Sequence, residues 1–102
     1  HTLVFDEVDA GIGGAVAAAV GAKLRALGAT RQVLCVTHQP QVAAAGHAQY
    51  RVSKAAHAGL TQSQVALLDE DGRVGEIARM LGGAQVTPEA RAAAGKLLAD
   101  SL

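Results

Sequence analysis

Residues 2–14 read TLVFDEVDAGIGG, and residues 32–38 read QVLCVTH. The first stretch is a short apolar strand, TLVF, that ends in two adjacent acids. The second holds Val33, Leu34, Cys35 and Val36 in an unbroken apolar row, the pattern of a parallel strand covered on both faces. Between them, GGAVAAAVGAKLRALG (13–28) repeats Val16, Val20, Leu24 and Leu27 at helical spacing, with Gly28 as the stop. Strand, helix and strand in this order predict a parallel pair. In parallel α/β sheets, ligands bind at the carboxyl ends of the strands. Asp6 and Glu7 end the first strand and His38 ends the second, so both acids and the imidazole are expected on one sheet edge.

That trio has a chemical logic in nucleotide hydrolysis. An acid at the strand tip, Asp6, holds Mg²⁺ through waters, because Mg²⁺ dehydrates reluctantly. The next acid, Glu7, points elsewhere and polarises a water for in-line attack on a γ-phosphate. An imidazole beside them, His38, donates to the γ-phosphate and senses its loss. Acids after a strand also serve simply as turn or helix-capping residues. The second buried strand ending in Thr37-His38 favours the hydrolytic reading.

The rest of the chain extends the α/β pattern. Pro40 begins a short helix, PQVAAAG (40–46). AQYRVSK (48–54) and LTQSQVALL (60–68), separated by AAHAG, predict a half-exposed antiparallel hairpin. DEDG (69–72) reads as a turn before the helix RVGEIARMLGG (73–83), with Val74, Ile77 and Leu81 on one face. Thr87, Pro88 and Glu89 mark the start of a last helix reaching about Asp100, with Ala90, Ala94, Leu97 and Leu98 inward. Among the 102 residues, half are apolar but only Phe5 and Tyr50 are aromatic, so the core is built from small aliphatic side chains. Nine basic residues balance nine acidic ones, and this piece has no overall basic field for nucleic acid. The single cysteine, Cys35, excludes an internal disulfide and fits a reducing, cytoplasmic compartment. No stretch has the roughly 18 uninterrupted apolar residues of a membrane helix. His1 is given no role.

Rival sites fit less well. GIGGAV (11–16) approximates the dinucleotide fingerprint G-x-G-x-x-G, but Val16 stands at the third glycine. No acid ends the second strand to bind a ribose, and the acids before the glycines would repel a pyrophosphate. His38, His47 and His57 lack metal-ligand spacing, and no cysteine pair supports them. His47 and His57 read as exposed loop residues, and Cys35 as a small core residue.

LVFDEVDAGIGG followed by QVLCVTHQPQVAAAG, with RVGEIARMLGG and TPEAR later, resembles the carboxyl-terminal part of the RecN family. These are SMC-like DNA repair proteins with an ABC-type ATPase head. The resemblance covers nearly the whole chain, and the Gly-Ile-Gly-Gly form is its specific signal, distinguishing it from ABC transporters and typical SMC heads. It implies that residues 1–102 form the carboxyl-terminal half of a P-loop ATPase head: parallel strands with helices, a β-hairpin and two final helices. It implies ATP and Mg²⁺ as cofactors. Asp6 then matches the Mg²⁺-linked Walker B acid, Glu7 the water-activating acid and His38 the switch histidine. Asp9 matches the D-loop acid at the contact between two heads, and Gly11, Gly13 and Gly14 the flexible D-loop; from position alone, Asp9 reads as a helix N-terminal acid.

No G-x-x-x-x-G-K-[ST] phosphate loop occurs, nor an ABC signature motif. The expected partners are therefore the remainder of the same head, carrying Walker A; a second head in a homodimer; and DNA through the full protein, with no membrane and a nucleoid-associated location. Alone, the chain is expected neither to bind ATP tightly nor to hydrolyse it, and its first strand is expected to expose an apolar edge or face. An ABC transporter-type fragment and a non-catalytic α/β interaction module remain the alternatives. Lys23, Arg25, Arg31, Arg51 and Lys54 are candidate DNA contacts or plain solvated charges.

Overall fold

The computed structural model describes residues 2–83 and 85–101; His1 lies outside them. The chain runs β1 (Thr2–Asp6), α1 (Gly14–Gly28), β2 (Gln32–Val36), α2 (Pro40–Ala45), β3 (Tyr50–His57), β4 (Leu60–Leu67), α3 (Glu70–Gly82) and α4 (Pro88–Asp100). β1 and β2 pair in parallel, in register from Thr2 opposite Gln32 to Asp6 opposite Val36. β3 and β4 form a separate antiparallel sheet.

The β1–α1–β2 unit has the predicted order but not the predicted cover. Leu3, Phe5, Val33 and Cys35 are half-buried on one face. On the other, Val4 is 67% exposed and Val36 57% exposed. The apolar row of β2 is therefore not covered on both faces by the described residues, whereas the bare face of β1 agrees with expectation. The α1 stripe differs as well. Val16, Val20, Leu24 and Leu27 join Phe5 and Val8 in lining an open apolar trough of about 400 Å³. The buried seam of α1 is Ala17 and Gly21 instead. A Cβ on Gly21 would stand 3.0 Å from both Ala45 Cβ and the Gln41 carbonyl oxygen. The missing side chain is what lets α2 lie against α1, so size rather than hydrophobicity chose the contact.

α2 starts at Pro40 as predicted, and Pro40, Val42, Ala44 and Ala45 are buried. Two arginines from neighbouring helices hold its carboxyl end. Arg25 of α1 donates to the Ala45 carbonyl at 2.8 Å, and Arg73 of α3 to those of Ala43 and Gly46, both at 3.0 Å. Both cations sit where the helix leaves carbonyls unpaired and its dipole negative. Arg25, considered above as a DNA contact, is thus committed to the fold. Burial, then the charge of Arg25, lowers the Arg73 guanidinium below its usual range, while Glu70 opposes this.

The hairpin is longer than predicted. β3 starts at Tyr50 and extends to His57, so AAHAG is mostly strand. The turn is only Ala58 and Gly59, at φ +52° and +80°. Positive φ at both turn residues matches the strand twist, as in a type I′ turn, so the ladder closes up to the His57–Leu60 pair. His57 therefore ends a strand rather than lying in a loop; its side chain is outside the described set. The hairpin is also barer than predicted, since every residue of β4 is exposed.

DEDG is not a free turn. Asp69 caps α3, its carboxylate accepting from the Gly72 N–H at 2.7 Å, and Glu70 and Asp71 occupy the positive first turn. α3 ends at Gly83, whose φ of +81° and ψ of −138° only glycine adopts readily. Thr87 caps α4, accepting from the Ala90 N–H at 3.0 Å as predicted. Ala44, Ile77, Ala78 and Ala94 form the buried core, with Val74, Met80, Ala90, Leu97 and Leu98 packed around it. Leu81 is not part of it; at 41% exposed it turns outward near the helix end.

Candidate functional site

The parallel register brings the ends of β1 and β2 to one edge, and the predicted trio meets there. The Glu7 N–H extends the ladder by one bond, donating to the Val36 carbonyl at 2.8 Å. The chain then turns sharply: Glu7 has φ +50°, a left-handed conformation for a side-chain-bearing residue. Such a residue costs on the order of 1–3 kcal/mol and persists where its surroundings enforce it. Here the Glu7 carbonyl accepts from the Ala10 N–H at 3.1 Å, closing the turn. His38 Nδ1 lies 3.2 Å from Glu7 Oε1. A carboxylate only accepts, so the imidazole donates. Both side chains are more than half exposed, at 66% for His38 and 54% for Glu7. Asp6 is exposed at the strand tip beside them.

Asp9 takes a place that neither sequence reading described. It is not an acid of the first turn of α1, which contains none; Gly13 caps that helix without a side-chain bond. Asp9 is fully buried. Its Oδ2 accepts the hydroxyl of Thr37, and its Oδ1 is buried without a hydrogen-bond partner among the described residues. Thr37 Oγ1 in turn accepts the Gln39 N–H at 3.0 Å, a local turn of the Ser/Thr kind. The Gln39 side chain donates to the Ile12 carbonyl at 3.1 Å. Besides the Glu7–His38 bond, the loop after β1 and the loop after β2 are therefore tied at two further points, both part-buried. Gly11 sits in the first loop at φ +78°, where a side chain would be strained. Gly13 has open space around its Cβ position, and a Cβ on Gly14 would touch Gln41 Nε2 at 3.2 Å.

The Thr37–Asp9 bond, the role of Gln39 and the left-handed backbone of Glu7 were not foreseen by sequence reasoning. Thr-x-Gln directly after an apolar strand is a usable signal for the turn, but the bond of Thr37 to Asp9 spans 28 residues. Cys35 is half-buried beneath the site. Its thiol is pushed up first by burial and then by the negative charge of Asp9 and Asp6, as suits a packed residue rather than a nucleophile. The described residues contain no group of three or more His, Cys, Asp or Glu that could enclose a metal. None of their helices is long and apolar enough to cross a membrane.

No protein-family model matches the chain. Curated relatives do. The DNA repair protein RecN of Xylella fastidiosa strain Temecula1 is 66% identical over 99 residues, which is 97% of this chain and 18% of the relative. RecN of Vibrio cholerae is 54% identical over 95% of the chain and 18% of the relative, and that of Bacillus subtilis 39% over 95% and 17%. The chain thus spans less than a fifth of the length of these relatives. Over nearly its whole length the chain is therefore similar in sequence to the carboxyl-terminal part of RecN proteins.

Proposed function

We propose that the chain supplies the hydrolytic edge of an ATPase head in a RecN-type DNA repair protein. The observation that carries this reading is the Glu7–His38 pair, 3.2 Å apart at the carboxyl ends of two hydrogen-bonded parallel strands. Glu7 accepts the proton of a water attacking the γ-phosphate, a general-base role worth about 10²–10⁴-fold in rate. His38, oriented by Glu7, presents its second ring nitrogen to a γ-phosphate oxygen. Asp6 offers one exposed carboxylate oxygen donor, the hard ligand type that Mg²⁺ accepts while keeping its waters. Mg²⁺, when bound, would neutralise charge on the β- and γ-phosphate oxygens. Residues 1–102 form the carboxyl-terminal half of the head in this reading, with Gly11, Gly13 and Gly14 as its D-loop. The phosphate-cradling loop, absent from this sequence, belongs to the other half. The partners are that half, a second head and DNA, in the cytoplasm at the nucleoid. These roles rest on the chemistry of the edge together with the similarity to DNA repair proteins of the RecN type.

The test uses the complete head, reconstituted with the part that carries the phosphate loop. Glu7→Gln should retain ATP binding and lower turnover by about 10²-fold or more. His38→Ala should slow turnover with a smaller effect on affinity. Wild-type turnover in Glu7→Gln would return the acids to a capping role and the chain to a non-catalytic module.

A further inference from the structure

We propose that Thr37 is a positioning residue of the hydrolytic site, acting through its bond to the buried Asp9 to hold Glu7 and His38 in register. The proposal rests on the ATPase reading above and adds a residue to it. Thr37 stands immediately before His38 and Asp9 two residues after Glu7, so their bond ties the two catalytic loops right beside the Glu7–His38 pair. Three observations make it a brace rather than a chance contact. Asp9 is fully buried although it is an acid, and Thr37 is the hydrogen-bond donor that its carboxylate has. Thr37 Oγ1 is used twice, donating to Asp9 and accepting the Gln39 N–H at 3.0 Å, which fixes its rotamer and the course of the chain past His38. Glu7 is left-handed at φ +50° and fully outside the core, so its conformation must be enforced by the loop it begins.

The Glu7–His38 bond cannot supply this order itself, because both side chains are more than half exposed and an exposed pair of this kind is weak. The Asp9–Thr37 bond is part-buried, with its carboxylate fully buried, and charge-assisted, hence the stronger of the two. Asp9, matched above to a contact between heads, thus has a role inside its own chain that does not need a second head.

The experiment measures Mg²⁺-dependent ATP turnover of the complete head. Thr37→Val keeps the shape and removes the hydroxyl; kcat should fall about 10- to 100-fold, the scale of a misplaced catalytic group, with KM within about twofold. Thr37→Ser restores the donor and should recover kcat to within a few-fold. In a Glu7→Gln background, Thr37→Val should lower turnover by clearly less than in the wild type, since only His38 is left to position. Wild-type kcat in Thr37→Val, a Thr37→Ser variant as impaired as Thr37→Val, or a loss in the Glu7→Gln background as large as in the wild type would each overturn the proposal. If Thr37→Val does not fold, Thr37→Ala, which also removes the hydroxyl donor, takes its place under the same criteria. Failure of the underlying reading looks different: Glu7→Gln itself then turns over at the wild-type rate.

Discussion

The α2–α3–α4 corner and the β3–β4 hairpin are held by different forces. In the corner, Ile77, Ala78 and Ala94 are fully buried, and side chains close the helix ends: Asp69, Thr87, Arg25 and Arg73 each satisfy backbone groups. In the hairpin, eight ladder pairs and a tight turn do the work, while Tyr50, Val52, Val65 and Leu67 stay more than half exposed. An isolated two-stranded hairpin is marginal in water, because a ladder alone exchanges solvent hydrogen bonds for internal ones with little apolar burial. The contrast separates pattern from packing. Both regions carry readable periodicity, but only one has a neighbour for its apolar face among the described residues.

Substitutions at matched apolar positions measure that contrast. Ile77→Ala removes a fully buried side chain from the core and should cost about 2–5 kcal/mol in denaturant unfolding of the chain. A loss under about 1 kcal/mol would mean that the corner is not a packed core.

A smaller effect is expected from pH. Arg79, chiefly by its hydrogen bond, holds the Glu76 carboxyl below the usual range; burial opposes this, and the charges of Arg79 and Arg51 add to it. A carboxyl lowered in the folded state contributes stability above its unfolded pKa, near 4.3, and loses it as pH falls through the folded value. Glu76→Gln should therefore flatten the acid limb of a stability-against-pH profile below about pH 4.5 and leave its slope at neutral pH unchanged. An unaltered acid limb would remove Glu76 from the forces holding α3.

The smallest effect belongs to the hairpin. Val65→Thr keeps the β-branched shape on an exposed strand and should shift stability by no more than about 0.5 kcal/mol. A cost comparable to that of Ile77→Ala would show that this face is covered in solution and would erase the contrast.

The candidate site was legible where local pattern and topology coincide. Two apolar strands joined by a helix must run parallel, and parallel strands bring their carboxyl ends together, so Asp6, Glu7 and His38 could be placed on one edge from the residues alone. Asp9 was legible as a motif member but not as a buried acid. Its partner Thr37 lies 28 residues away, and burial is a property of the folded loops, not of the motif. The DEDG stretch was misread because Asp, Glu and Gly favour turns and helix starts alike. The capping bond of Asp69 to Gly72 decides between them.

Element order, the parallel pair, the helix start at Pro40, the cap at Thr87 and the chemistry of the β1–β2 edge were determined by the amino-acid sequence itself, because they depend on periodicity, side-chain type and chain connectivity over short range. Tertiary structure alone decided which apolar faces are covered, why Gly21 rather than Val20 faces α2, how Arg25 and Arg73 hold the end of α2, and that Asp9 is buried under Thr37. Those outcomes depend on close packing and on hydrogen bonds between distant segments, where a few tenths of an ångström and the presence of a neighbour outweigh any local preference.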